Sequence, residues 1–206
     1  FGSVFVLFIV LSIIVGIMYS LPPIKLKGRP ILDTLSNGIG YGMINFAVGW
    51  LLVREFDSSM FSQFLPYFLS ISAVFINTTI VDIEGDRKAR DITSGVFLGP
   101  RLSHLLSTLL MAGAIITAFM RRDYVCLIPA AVSFPLFVYT AWYVSKNNRE
   151  HRKATIASFR LPGVLFTLIT CVLYPVYFLI ILAVLVAMRV YYKRRFGMTY
   201  PTLAQG

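Results

Sequence analysis

Negative charge is what this sequence has least of. Asp and Glu together supply nine of its 206 residues, against 19 Lys and Arg. Charged residues of both signs reach only 14%, where a soluble domain carries roughly 25%. That shortage argues against an ordinary water-soluble protein. Cysteine is scarce too. Cys126 and Cys171 both lie inside apolar runs, and their spacing supports neither a metal site nor a disulfide framework. They read as small apolar packing residues. GxSxG, HExxH, phosphate-loop and dinucleotide fingerprints are all missing, which removes many soluble enzyme classes. Apolar and polar residues do not alternate, so a lipid-facing β-barrel is excluded as well. No internal repeat or low-complexity tract is evident.

What the chain has instead is hydrophobic residues in long blocks. They make up 57% of it, including 17 Phe and 11 Tyr. Six blocks stand out, at residues 1–19, 34–53, 64–81, 102–119, 124–144 and about 161–188. A hydrocarbon core of about 30 Å is crossed by about 17–25 helical residues. Five blocks have that length, and the sixth is long enough to tilt or to project beyond the bilayer. Backbone polar groups in lipid must bond within their own segment, so each block is expected to be a helix. The predicted fold class is all-α: a polytopic transmembrane helical bundle with six helices. Gly38, Gly40, Gly42, Gly49, Pro129, Pro135 and Pro175 interrupt these blocks, and close packing and kinks account for them.

The formal net charge is +10. In a soluble protein this would suggest nucleic acid. Here the cations sit between apolar blocks, which points to topology, anionic headgroups or an anionic substrate, and not to nucleic acid. Call the inter-helix segments A to E. Segments A, C and E hold 12 of the basic residues; B, D and the tail hold 7. The positive-inside rule therefore predicts A, C and E in the cytoplasm. The chain opens at Phe1 in the middle of an apolar run with no basic leader or cleavage site. A signal peptide is not expected, and the simplest expectation is a piece of a longer protein.

Four of the nine acidic residues fall in one stretch, NTTIVDIEGDRKARD, as Asp82, Glu84, Asp86 and Asp91. Asp82 and Asp86 are four apart. If the third helix runs through Asp82, both carboxylates lie on one face, a turn apart. Hard oxygen ligands in that arrangement suit Mg²⁺ shared with substrate phosphates. Gly85 between them lowers helix propensity or allows a tight bend. The competing reading is a solvated loop whose carboxylates pair with Arg87 and Lys88. Asn77, Thr78 and Thr79 favour the metal reading, because polar groups near the end of a membrane helix line a cavity or a helix interface.

Segment A reads YSLPPIKLKGRP. Pro22 and Pro23 stop the first helix, and Lys25, Lys27 and Arg29 follow at alternating positions. In an extended stretch they would share one edge, suited to a diphosphate; the alternative is charge that only fixes topology. Asp33 is expected to start the second helix. Segment E, residues 146–160, is basic and serves topology or contributes to anion binding. His104 is expected to be a structural residue at the headgroup level, and Asp123 to pair with Arg121 or Arg122.

YSLPPIKLKGRP, the following LDTLSNGIGYG, and DIEGDRKARDITSGVFLG together resemble stretches of the UbiA-type intramembrane prenyltransferases. The flavour is nearest to lycopene elongases, chlorophyll synthases and archaeal ether-lipid enzymes. The resemblance implies nine helices around a central cavity, with two Asp-rich motifs holding Mg²⁺ and a polyprenyl diphosphate. The six helices here would be the fourth to the ninth, residues 1–206 forming one prenyltransferase-like domain without its first helices. Asp82 and Asp86 would be the catalytic, metal-binding carboxylates. Lys25, with Lys27 or Arg29, would sit at the diphosphate, Tyr19 near the cavity mouth, and Asn77 as a metal or supporting partner. Arg90 stands where the second motif commonly has Gly.

The implied activity is Mg²⁺-dependent transfer of a polyprenyl group to an apolar or aromatic acceptor within the bilayer. Two alternatives are a non-catalytic membrane subunit of the same fold and a solute transporter. The polar groups gather at one surface, whereas a transporter places them near the midplane.

Overall fold

The computed structural model describes residues 2–198. Among them all regular structure is helical, and the order is α1 (Ser3–Ser20), α2 (Leu32–Asn37), a π-helical stretch (Gly38–Ile44), α3 (Asn45–Val53), α4 (Ser59–Gln63), α5 (Leu65–Val81), α6 (Ile83–Ala89), α7 (Ser94–Arg121), α8 (Tyr124–Asn147), α9 (Arg152–Leu173) and α10 (Pro175–Phe196). A short 3₁₀ turn, Leu26–Gly28, lies between α1 and α2.

Six helices are long and apolar enough to cross a membrane, as expected in number. The membership differs in two places. The block at 161–188 is two helices, not one. Tyr174 leaves the helical region (φ −131°, ψ 85°), and Pro175 opens α10. Proline has no N–H to continue the ladder and pushes the residue before it out of the α conformation. The block at 34–53 is not one of the six: it is helical throughout, but π turns between Gly38 and Ile44 divide it into shorter pieces. The block at 102–119 begins earlier, at Ser94, and bends at Gly99 (φ +71°, ψ 167°), a conformation open only to glycine.

The chain divides into two compact units, Phe1–Pro162 and Gly163–Gly206. In the first, α5 is the hub, packed against α7 and the π stretch, while α8 packs on α7. One core is built from Ala73, Met111, Ala114, Ala130 and Phe137 of α5, α7 and α8. Between membrane helices there is little hydrophobic drive, so close contact supplies the attraction. The alanines let the backbones approach, and Phe137 fills the remaining space. Gly42 takes this furthest: a Cβ there would lie 2.6 Å from the Phe68 Cα. A second cluster, of Phe8, Ile44, Ala47 and Met60, ties α1 to α3 and α4. In the second unit, α10 buries none of its side chains, and its apolar surface suits lipid.

Candidate active site

Helix α5 ends at Val81, and Asp82 forms the junction with α6. Asp82 itself leaves the helical region (φ −96°, ψ 1°), but Asp86 N–H donates to the Asp82 carbonyl at 2.9 Å, the spacing of one α turn. The two carboxylates therefore stand a turn apart, as the sequence spacing required. Gly85 makes no bend. It lies inside α6 with no atom within 4 Å of where a Cβ would sit. The acidic stretch is not an irregular loop, and among the described residues none of Asp82, Glu84 or Asp86 forms an ion pair with Arg87 or Lys88.

Partial burial raises the Asp82 carboxyl above the usual carboxylate range, and the nearby Asp86 raises it further. Arg152, at the start of α9, opposes both. Glu150 lies beside Glu84 and Arg152 and is likewise raised, chiefly by burial. Segment E thus reaches the acidic pair through its last residues. It is shorter than the sequence implied, because α9 already begins at Arg152.

Helix α6 ends on Arg90, which adopts the left-handed conformation (φ 59°, ψ 26°). Asp91 N–H donates back to the Asp86 carbonyl at 3.0 Å and Arg90 N–H to Arg87 at 3.2 Å. This closing turn is one that glycine normally fills. It turns the chain so that Thr93 Oγ1 donates to Asp86 Oδ2 at 2.8 Å and Asp91 meets segment A.

Segment A is not extended. Lys25 is left-handed (φ 43°), and the 3₁₀ turn follows it. The three cations consequently diverge, which corrects the shared edge expected from their alternation. Lys25 Nζ pairs with Asp91 Oδ1 at 2.5 Å. Arg29 donates to the Pro23 carbonyl at 3.1 Å, and Lys27 is exposed. Gly28 permits the docking: a Cβ there would meet Asp91 Oδ1 at 2.7 Å, and its carbonyl accepts from Ile92 N–H at 3.1 Å.

The strongest link between the two segments went unseen in the sequence. Asp33 is completely buried in the first turn of α2. Its carboxylate accepts from Thr34 N–H at 2.6 Å, from Ser94 N–H at 2.7 Å, and from the Ser94 hydroxyl. Ser94 Oγ in turn accepts from Ile31 N–H at 2.9 Å and from Thr34 Oγ1 at 3.1 Å, so its hydrogen-bonding capacity is filled. Asp33 does sit at a helix start, but it also caps α7 from across the fold. Its spacing to Ser94 carries no local signal.

Tyr19 is half-buried at the end of α1. Its side chain meets Asn37, with Asp33 and Asp86 close enough to act on it electrostatically. It lines a cleft of about 190 Å³ between α1 and residues 36–45. Asn77 is fully buried and donates to Ser158 Oγ at 2.8 Å, tying α5 to α9, while its Oδ1 has no partner. His104 lies inside α7, fully buried, with Nε2 3.5 Å from Thr155 Oγ1, a packing contact between α7 and α9. Asp123 does not pair with Arg121 or Arg122; it caps α8 by accepting from Cys126 N–H at 3.2 Å.

Tyr19, Asp33, Asp82, Asp86, Lys25 and Arg152 are therefore gathered at one end of the bundle, where segments A, C and E meet. Among the described residues no three His, Cys, Asp or Glu side chains converge into a metal-holding cluster. The donor set is the Asp82–Asp86 pair, two hard oxygens whose mutual repulsion a divalent cation would relieve.

The sequence pattern of the UbiA prenyltransferase family matches residues 1–164. The chain is 29% identical over 130 residues to a chloroplastic 2-acyl-4-prenylphloroglucinol 6-prenyltransferase from Humulus lupulus, covering 60% of this chain and 30% of that protein. The fold resembles that of a UbiA homolog from Archaeoglobus fulgidus bound to GPP and Mg²⁺, with a TM-score of 0.55 at 18% identity, over 80% of this chain and 60% of the other. A Cd²⁺-bound structure of a UbiA homolog from the same organism gives 0.52 at 18% identity, over 80% and 62%. The chain thus spans about a third of the plant relative and under two thirds of the solved homolog. With an all-helical membrane fold, the acidic pair at one end of it, and a family match over four fifths of its length, this chain belongs to the UbiA prenyltransferase family.

Proposed function

We propose that the protein containing this chain transfers a polyprenyl group from a polyprenyl diphosphate to an acceptor inside the bilayer. The observation that carries this reading is the Asp82–Asp86 pair, one helical turn apart, in which Asp86 makes Asp82 harder to ionise and Arg152 only partly offsets this. It stands on the face where the cationic segment A docks. Asp82 and Asp86 would hold Mg²⁺, which when bound would withdraw charge from the diphosphate. Two carboxylates fill only part of a six-oxygen shell, and waters, phosphate oxygens and other parts of the full protein complete it.

Lys25 binds the leaving diphosphate. In this structure it is held by Asp91, so it is kept near the site until an anion competes for it. Exposed Lys27 and Arg29 draw the anion toward the same end, and Arg152 adds a cation beside Asp82. The allylic C–O bond breaks and the electron pair leaves with the diphosphate. The acceptor carbon then bonds the prenyl carbon and releases a proton. Tyr19, at the mouth of the α1 cleft, offers an aromatic face to the positive charge that develops. Asn77 holds α9, and so Arg152, in register with α5. The basic excess of segments A, C and E supports a cytoplasmic position for this end.

The reading is tested by equilibrium binding of a polyprenyl thiolodiphosphate, which resists ionisation, to the full-length protein in detergent. Binding should require Mg²⁺ and weaken in Lys25→Met. Binding that is absent, or indifferent to both, would sink the reading.

A further inference from the structure

After Glu150 the sequence has no acidic residue, while Arg189, Lys193, Arg194 and Arg195 gather at the end of α10. All four are exposed, and among the described residues none of them forms an ion pair. A helix C-terminus offers cations a partial charge of only about −0.5. Four positive charges exceed that several-fold, so the helix end leaves most of them without a counter-charge. Aromatic rings stand in the same turns. Tyr191 lies 5.6 Å from Tyr192 and 6.1 Å from Phe196 between ring centroids, and Tyr192 lies 5.7 Å from Phe196. Tyrosines gather at the headgroup level of a bilayer, where the ring is in apolar surroundings and the hydroxyl is wet.

One face of α10 carries both features in line. Ala187, Val190, Tyr191, Arg194 and Arg195 line a shallow groove. Their spacing is i, i+3, i+4, i+7 and i+8, a single stripe along the helix. It runs about 12 Å, at about 1.5 Å per residue. It starts apolar and ends on two guanidinium groups. An occupant must therefore be hydrocarbon at one end and anionic at the other. A nucleic acid or an acidic peptide meets the second demand but not the first. A zwitterionic phospholipid meets the first but brings its own cation to the guanidiniums. An anionic phospholipid meets both, and arginine can hold its phosphate through two parallel hydrogen bonds. The bilayer supplies such a lipid at the level where the apolar part of α10 gives way to charge.

We infer that this stripe of α10 binds an anionic phospholipid, with an acyl chain along Ala187 and Val190 and the phosphate at Arg194 and Arg195. The inference is independent of the prenyl-transfer reading.

The test uses the full-length protein in detergent and tritiated dioleoylphosphatidylglycerol as probe, with dioleoylphosphatidylcholine as a lipid of the same chains without net charge. One cation near an anionic headgroup is worth about fivefold in affinity. Phosphatidylglycerol should bind more tightly than phosphatidylcholine by roughly 5–25-fold. Arg194→Gln and Arg195→Gln should each weaken phosphatidylglycerol about fivefold, and the double variant about 25-fold, with phosphatidylcholine unchanged. Arg121→Gln, which removes a cation outside the stripe, should change neither. The substituted side chains are exposed, and each variant must melt as the wild type does. Equal binding of the two lipids, wild-type affinity in the double variant, or an equal loss in Arg121→Gln would overturn the assignment. Displacement of phosphatidylglycerol by an equal concentration of a polyprenyl thiolodiphosphate would overturn it too, since the groove would then belong to that anion and not to a bilayer lipid.

Discussion

Arg90 is the residue whose replacement should most directly expose the local physics of the acidic motif. It occupies the left-handed position that closes α6, with φ 59° and ψ 26°. A side chain with a Cβ pays about 1–2 kcal/mol for that conformation. Glycine avoids the strain, but it adds conformational freedom to the unfolded chain worth about 0.4–1 kcal/mol. The net expectation for Arg90→Gly is a gain of about 0.5–1 kcal/mol. For a chain of this size that is a rise of about 1–4 °C in melting temperature. Arg90 is exposed, so little packing is lost with it. Arg90→Ala separates the backbone effect from loss of the guanidinium, since alanine keeps the strain. Thermal unfolding of the detergent-solubilised protein, followed by circular dichroism, reads both. Arg90→Gly should melt above Arg90→Ala. If the two melt together, or glycine melts lower, the left-handed closure is not strained and the reasoning fails.

Three further outcomes follow from other contacts. Asp33→Ala strips the buried acceptor from the start of α7 and should destabilise the protein by about 2–4 kcal/mol in denaturant titration, with Asp33→Asn intermediate. Asp82 has a folded-state pKa above its unfolded value, raised by burial and then by Asp86. Its ionised form therefore destabilises the native state above both values, and the penalty fades as pH falls through them. Without Mg²⁺, Asp82→Asn should outlast the wild type in thermal unfolding at pH 7, and the gap should close near pH 4 (carboxylates titrate at about 3.9). Gly42→Ala places a methyl 2.6 Å from the Phe68 Cα, whereas at Gly40 the nearest atom is 3.8 Å away on Val15. The first should lower stability by about 1–3 kcal/mol and the second should not.

The membrane-helix class was legible because hydrophobic block length is a direct physical requirement of the bilayer. The Asp82–Asp86 spacing was legible for a similar reason: four residues make one turn, and the hydrogen bond across the junction keeps that geometry. Segment A was misread because alternation implies a shared edge only in a strand. The left-handed Lys25 and the 3₁₀ turn broke that premise, and nothing in KLKGR signals them. Asp33, 61 residues from Ser94, and Arg152, far from Asp82, are tertiary partners with no local pattern. Pro175 signals a break at Tyr174, and the structure makes it a full split between two helices where proline in a membrane helix can also make a mere kink.

The central claim is that Asp82 and Asp86 form a metal–diphosphate site. The most direct measurement is Mg²⁺-dependent diphosphate release from a polyprenyl diphosphate by the full-length protein, comparing wild type with Asp82→Asn and Asp86→Asn. Both variants must first be seen to melt cooperatively. Release should require Mg²⁺ and fall in each variant by more than roughly 100-fold, beyond the range for residues that only support a metal ligand. Release at the wild-type rate in either variant would contradict the claim.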